Sequence, residues 1–132
     1  MKQKRRLLAV ANDGRKELLA QILEKEWDII NERYDEILGT DGTIDSVVEK
    51  FFAHKLLTRI GHAARGDIAA AYLLQQLKDD ISLDCLVLLD AQVEGHEPYK
   101  RVLALSLFDA SATWLPNYTT AITFFDALRG DM

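Results

Sequence analysis

Near its beginning, the sequence reads Leu7-Leu8-Ala9-Val10-Ala11-Asn12-Asp13-Gly14. Five apolar residues in a row, followed by residues that favour turns, are typical of a strand that is buried on both faces. From residue 15 to about 27, Leu and Ile recur at helical spacing with Lys and Glu between them. A buried strand followed at once by an amphipathic helix indicates a β-α unit, the building block of a parallel sheet.

The same alternation of short apolar runs and amphipathic stretches continues along the chain. Further strands are predicted at 34–38, 56–60, 83–89 and 110–114. Further helices are predicted at 44–52, 67–78 and 97–108, and a last helix, capped by Thr119 or Thr120, runs to Leu128. These elements predict the α/β class: a three-layer α/β/α sandwich around a mainly parallel, five-stranded sheet.

Composition limits the class of protein. The chain has 132 residues, 48% of them hydrophobic and 28% charged, with a net charge of −5. This predicts one folded domain over 1–132, with 1–5 as a flexible lead-in and the cations between Lys2 and Arg6 exposed to solvent. The single cysteine, Cys85, excludes a disulfide framework, and the apolar runs are too short to span a membrane. The acidic balance disfavours nucleic acid as a partner, and we expect a cytoplasmic location.

Candidate functional residues are sought where the strands end, because ligands of open parallel sheets bind outside the carboxyl ends of the strands. The residues that follow the predicted strands are Asn12-Asp13 with Lys16, Thr40-Asp41-Gly42-Thr43, 61–67, Asp90 with His96, and 116–120. Most of these loops carry an ionisable group. We therefore expect them to form one polar crevice.

The loop that contains Thr40, Gly42 and Thr43 has the composition of a phosphate cradle. Its glycine lets backbone N–H groups approach, its hydroxyls donate hydrogen bonds, and the helix after it begins with a partial positive charge. Lys16, about one turn into the first helix, is placed to reach over the same crevice. The other reading is an ordinary strand-to-helix turn with an exposed lysine nearby.

Two later loops carry groups suited to proton transfer. Asp67, after Gly66, is either the N-cap of its helix or a general base that removes a proton from carbon beside a carbonyl. His96 is either an exposed loop histidine or the group that supports the resulting enediolate. Asp13 and Asp90 each follow a strand, where an aspartate orients a donor or simply makes a turn.

Motifs for larger ligands are absent from the sequence. There is no Walker A loop, no Gly-x-Gly-x-x-Gly and no His-Glu-x-x-His, and the three histidines are far apart. We therefore expect neither ATP, nor a dinucleotide, nor a metal.

Taken in order, these loops resemble those of the methylglyoxal synthase family over nearly the whole chain, from about residue 7 to 128. Ala11-Asn12-Asp13 with Lys16 matches the family's Ala-His-Asp and lysine, and Thr40-Asp41-Gly42-Thr43 matches its Thr-Gly-Thr-Thr-Gly loop. Arg65-Gly66-Asp67-Ile68-Ala69 matches its Gly-Gly-Asp-Gln-Gln. The later matches are Leu89-Asp90 for Trp-Asp, His96-Glu97-Pro98-Tyr99 for His-Asp-Pro-Asp, and Ala112-Thr113, with an insertion before Asn117, for Ala-Thr-Asn.

The resemblance implies a cofactor-free lyase that converts dihydroxyacetone phosphate to methylglyoxal and phosphate. It makes Asp67 the base and His96 the support of the substrate oxygen, and it places Asp13 and Asp90 beside them as further catalytic residues. The residues it implies for the substrate phosphate are Lys16, Thr40, Gly42, Thr43 and Gly66. It also implies a homo-oligomer, commonly a hexamer.

The sequence departs from the family pattern at several positions of the crevice, and Ile68 and Ala69 replace both of the family's glutamines. Asn12 replaces a histidine, Asp41 adds a carboxylate to the phosphate loop, and Tyr99 replaces a carboxylate. An amide cannot transfer the proton that an imidazole can. The alternative is therefore a non-catalytic, phosphometabolite-binding regulatory domain, similar to the allosteric domain of carbamoyl phosphate synthetase. A third reading is another lyase or isomerase for a small phosphate or carboxylate, with Arg65 supplying positive charge.

Overall fold

The sheet is parallel and follows the predicted order of elements. A computed structural model of the chain describes residues 5–60, 83–88 and 113–130. Its strands are β1 (Arg5–Ala11), β2 (Tyr34–Gly39), β3 (Leu56–Arg59), β4 (Leu83–Leu88) and β5 (Thr113–Leu115). They form one sheet in the order β3-β2-β1-β4-β5, and every neighbouring pair is parallel. The α/β class is confirmed, and the sheet is parallel throughout rather than mainly so.

The helices differ from the predictions mainly at their ends. A 3-10 turn (Asp13–Arg15) leads into α1 (Lys16–Lys25), and a second helix, α2 (Trp27–Arg33), follows it. Helix α3 covers 41–52 as three consecutive pieces, Asp41–Thr43, the π-helical Ile44–Val48, and Glu49–Phe52. Helix α4 is Tyr118–Gly130. The helices predicted at 67–78 and 97–108 lie outside the described residues.

Three of these expectations were wrong in detail. The predicted helix over 15–27 ends at Lys25, and the chain turns at Glu26. The buried carboxylate of Glu26 pairs with Arg129 of α4 (Oε2 to Nη2, 2.5 Å). Helix α3 begins at Asp41 instead of Ile44. The cap of α4 is Asn117, neither Thr119 nor Thr120, since Asn117 Oδ1 accepts a hydrogen bond from the Thr120 N–H (2.9 Å).

Both faces of the sheet are covered, as a strand without polar alternation requires. On one face, Leu7 and Ala9 of β1 join a core that includes side chains of α1, α2, α3 and α4. On the other face, Leu8 and Val10 are also buried, as is Cys85 of β4. Burial raises the pKa of the Cys85 thiol.

The amino ends of three strands are joined by a buried carboxylate. Asp84 of β4 is fully buried and accepts two hydrogen bonds from Arg5 of β1, from Nε (2.6 Å) and Nη2 (2.8 Å). It accepts a third from the hydroxyl of Tyr34, at the start of β2 (2.7 Å). The guanidinium of Arg5 also lies over the ring of Phe124 in α4, 5.7 Å from its centre. This network ties the central strand to both of its neighbours.

Two of the N-terminal cations, Arg5 and Arg6, are part of the fold. We expected Arg5 and Arg6 to be exposed to solvent, but β1 begins at Arg5, and Arg6 is buried with 3% of its surface exposed. The hydrogen bonds that Arg5 donates to Asp84 are the largest cause of the raised pKa of Arg5. A guanidinium can donate two parallel N–H hydrogen bonds to a buried carboxylate. Arg5 can therefore occupy a position in β1 beside Asp84.

The strand order places a switch point at the centre of the sheet. From β1 the chain adds β2 and β3 on one side, and then returns to place β4 and β5 on the other side. The two directions meet between β1 and β4. In open parallel sheets a crevice forms at such a point, outside the carboxyl ends of the strands.

Candidate functional site

The carboxyl ends of β1 and β2 bring five of the predicted site residues together. Lys16 stands at the start of α1, after β1, and its Nζ would lie 3.5 Å from a Cβ placed at Gly42 in α3. The ammonium group of Lys16 therefore lies over the first turn of α3. Any side chain at Gly42 would compete for that space.

The hydroxyls of Thr40 and Thr43 attach the start of α3 to the end of β1. Thr43 Oγ1 accepts a hydrogen bond from the Ala11 N–H (3.2 Å) and donates one to the Ala11 carbonyl (3.3 Å). Since its proton is used in this way, Thr43 accepts the bond from Thr40 Oγ1 (2.8 Å). Both threonines are buried. These bonds fix the first turn of α3 beside Lys16, whereas a direct bond from either hydroxyl to a phosphate stays a prediction.

Gly39 allows α3 to start close to the sheet. A Cβ at this position would lie 2.7 Å from the Ala9 carbonyl oxygen and 3.1 Å from Ile44 Cγ1. Both distances are shorter than ordinary van der Waals contacts, so any larger residue would push α3 away from β1. The lack of a side chain at Gly39 thus lets the start of α3 lie close to β1.

The charge at this edge is partly balanced within the chain. Lys16 Nζ pairs with Asp13 Oδ1 at 2.9 Å; the lysine side chain is 23% exposed and the aspartate side chain 98% exposed. The hydrogen bond from Lys16 holds the pKa of Asp13 below its usual range. An exposed ion pair of this kind contributes little to stability, so an anion can displace Asp13 from Lys16 at little cost. An anionic ligand can therefore replace Asp13 as the partner of the Lys16 ammonium group.

We predict that Lys16→Gln raises the pKa of Asp13 toward the ordinary aspartate value, because the hydrogen bond and the nearby positive charge are both removed. A carboxyl-carbon NMR titration of both proteins measures this. Lys25→Gln removes the same charge at the far end of α1 and should leave the pKa of Asp13 unchanged. If the pKa of Asp13 were equal in the wild type and in Lys16→Gln, the ion pair would not exist in solution.

A second cation at this edge, Arg59, escaped the sequence analysis. It is the last residue of β3, and its Nη2 pairs with Asp45 of α3 (2.5 Å) while its Nη1 donates to the Asp41 carbonyl (3.3 Å). The hydrogen bond from Arg59 to Asp45, followed by the charges of Asp45 and Asp41, raises the pKa of Arg59. The Asp41 carboxylate, expected to repel a phosphate, thus lies in the field of Arg59. The sequence signal that could have identified Arg59 as a site residue was its position at the end of a strand.

A small cavity lies on the other side of β1. It has a volume of about 110 Å³ and is lined by Arg15, Leu18, Leu88, Pro116 and Asn117. Leu88 ends β4, and Asn117 caps α4, so the cavity opens at the switch point between β1 and β4. Arg15 is the residue before Lys16, and the sequence analysis gave it no role.

The other predicted site residues, Gly66, Asp67, Asp90 and His96, lie outside the described residues, as do Arg65 and Tyr99. Over 5–60, 83–88 and 113–130, no group of three or more His, Cys, Asp or Glu residues is arranged to hold a metal ion. In the same part of the chain, no helix combines the length and the apolar character that a membrane crossing requires.

The arrangement belongs to a defined class: an all-parallel α/β sheet whose polar crevice lies at the carboxyl ends of its central strands. The fold matches that of a solved methylglyoxal synthase. The crystal structure of methylglyoxal synthase from Elizabethkingia anophelis NUHP1 superposes with a TM-score of 0.68 at 15% sequence identity. The superposition covers 92% of this chain and 77% of that chain. Family models give no match to the chain, and neither do the curated proteins. At this identity the likeness establishes a methylglyoxal synthase-like fold and nothing beyond it.

Proposed function

We propose that this chain binds a small phosphorylated metabolite at the carboxyl ends of β1 and β2 and acts on it as a methylglyoxal synthase-like lyase. The observation that carries the binding half of the proposal is the position of the Lys16 ammonium over Gly42, at the start of α3. A lysine beside the first turn of a helix is a common arrangement for holding a phosphate group.

The phosphate would be held mainly by Lys16 and by the backbone of α3. The first N–H groups of a helix have no carbonyl partner within the helix, and they lie beside Lys16 because Thr43 fixes this turn to β1. Gly42 leaves the backbone open to a bulky anion. Thr40 and Gly66 complete the proposed phosphate-binding set, with Thr43 acting through its hold on the helix.

The chemical half of the proposal rests on the family resemblance. Asp67 would remove a proton from the carbon that carries the hydroxyl of dihydroxyacetone phosphate, which forms an enediolate. His96 would support the substrate oxygen, with Asp13 and Asp90 beside it. The C–O bond to phosphate then breaks, phosphate leaves with the bonding electron pair, and the enol that remains rearranges to methylglyoxal. The step needs neither a redox cofactor nor a metal.

The first test is binding of inorganic phosphate and release of methylglyoxal from dihydroxyacetone phosphate, measured on the full chain. We expect saturable phosphate binding that Lys16→Gln weakens about tenfold or more, because one charge-assisted hydrogen bond is lost. Lys25→Gln, the matched change at the other end of α1, should bind phosphate like the wild type. Equal affinities of the wild type and Lys16→Gln would remove Lys16 from the site and with it the proposal.

A second function is favoured by the residues at the ends of β1 and β2. Asn12 follows β1, where the resembled family has a histidine, and Asp41 opens α3 with a carboxylate. Both changes remove proton-transfer capacity or add negative charge, and both leave Lys16 and Gly42 in place. A chain that binds phosphate through Lys16 but releases no methylglyoxal would be the phosphometabolite-binding regulatory domain.

We also propose that the protein assembles as a homo-oligomer. Analytical sedimentation measures its oligomeric state.

A further inference from the structure

The cavity at the switch point has the chemistry of a binding site for an acid group. Among the five lining residues that lie in the described part of the chain, Arg15 carries a positive charge and none carries a negative one. Over the residues that the structure describes, no carboxylate forms an ion pair with Arg15, whereas Lys16 next to it pairs with Asp13. Arg15 is therefore available to an anion without first losing a partner.

Asn117 adds a second hydrogen-bond donor. Its Oδ1 accepts from the Thr120 N–H, so the polar atom that the side chain keeps for other contacts is its NH2 group, which can only donate. An arginine and a side-chain amide group, both donors, suit an acceptor with two oxygens in one plane. A carboxylate is such an acceptor.

The size and the remaining walls favour a carboxylate over a second phosphate. A cavity needs about 10–15 Å³ to hold one water molecule, so 110 Å³ holds a few waters or one small group. The other walls are Leu18, Leu88 and Pro116, which are apolar. One guanidinium balances the single charge of a carboxylate, whereas a phosphate dianion would leave one charge uncompensated against these apolar walls.

Arg15 and Lys16 are neighbours in the sequence, but their side chains lie on opposite sides of β1. Lys16 lies over α3, beside β2, and Arg15 lines the cavity beside the end of β4. We expect a small molecule that lies across the end of β1 to contact both, since neighbouring strands are only about 4.8 Å apart. The switch point, where ligands of this class of sheet bind, is the Arg15 side.

We infer that Arg15 and Asn117 form a carboxylate subsite, and that the crevice selects small phosphate esters that also carry a carboxylate. The inference rests on the proposed phosphate site at Lys16. In a lyase such an acid competes with the substrate, and in a regulatory domain it is the ligand that the domain senses.

The test compares two probes that differ at one carbon. 3-Phosphoglycerate carries a carboxylate where glycerol 3-phosphate carries a hydroxymethyl group. Calorimetric titration of the full chain should show 3-phosphoglycerate binding about tenfold more tightly, a difference of roughly 1.4 kcal/mol. Arg15→Gln should bring the two affinities to within about twofold of each other. Lys25→Gln, which removes one positive charge from the far end of α1, should keep the tenfold preference.

The outcomes separate this inference from the proposed function. Equal affinities for the two probes in the wild type, or a preference that persists in Arg15→Gln, would overturn the carboxylate subsite alone. If neither probe nor inorganic phosphate binds, or if Lys16→Gln binds both probes like the wild type, the phosphate site itself is wrong and the subsite falls with it. Circular dichroism of each variant shows that the fold is kept.

Discussion

Replacing Asp84 with alanine should lower the free energy of unfolding by about 3 kcal/mol. The substitution removes a fully buried carboxylate that accepts three hydrogen bonds. It leaves the hydroxyl of Tyr34 buried without this partner, and it leaves Arg5, whose side chain is 23% exposed, without its counter-charge. Burial is the largest cause that raises the pKa of Tyr34, and the charge of Asp84 is the next. The phenol therefore stays protonated at any ordinary pH. Tyr34 is therefore a donor that needs an acceptor.

The matched control is Asp45→Ala. Asp45 also pairs with an arginine, Arg59, at 2.5 Å, but their side chains are 59% and 45% exposed. An exposed pair is worth at most about 1 kcal/mol. Urea unfolding of both variants measures the difference. Equal losses of stability would show that the buried network contributes no more than a surface ion pair.

Replacing Asp67 with asparagine should lower the rate of methylglyoxal formation by roughly 100- to 10,000-fold, the contribution typical of a general base. An amide has nearly the same shape as a carboxylate but cannot accept the substrate proton. The measurement is methylglyoxal release from dihydroxyacetone phosphate at saturating substrate. Phosphate binding through Lys16 should persist in this variant, because Asp67 is proposed to move a proton and not to hold the anion.

The control for this substitution is Asp35→Asn. Asp35 is an exposed residue near the amino end of β2, at the edge of the sheet opposite to the crevice. Its replacement should leave the rate within about twofold of the wild type, as expected for a surface change. A similar rate in Asp67→Asn and in the wild type would exclude Asp67 as the base. A wild type that binds phosphate without turnover would instead favour the regulatory domain.

Hydrophobic pattern predicted most of the described strands, although β5 is Thr113–Leu115 where 110–114 was expected. Leu83–Leu88 is apolar at almost every position, and only a strand between two covered faces needs that pattern. The exception is Asp84. Its carboxylate can lie in this apolar strand because Arg5, 79 positions earlier in the chain, donates hydrogen bonds to it. No local rule links those two residues, and Arg5 was accordingly assigned to a solvated lead-in.

The candidate site was predictable only as far as single loops reveal it. Lys16 and Gly42 follow β1 and β2, so their meeting at one edge follows from the parallel arrangement. Arg15 and Asn117 meet because β4 and β5 lie on the opposite side of β1 from β2. Strand order is a property of the whole chain, and the sequence of any one loop does not contain it. The break at Glu26 escaped for the same reason, since its partner Arg129 is in α4.

The central place of β1 has a consequence for how the protein is made. As the chain leaves the ribosome, β2 is synthesised soon after β1, but the Arg5–Asp84 contact joins residues 79 positions apart. At roughly 5–20 residues per second, about 4–16 s pass before that partner exists. During this interval one edge of an apolar strand offers its N–H and C=O groups to any other extended segment. The nascent chain is then most exposed to mispairing, which makes β1 the segment that a chaperone would need to shield.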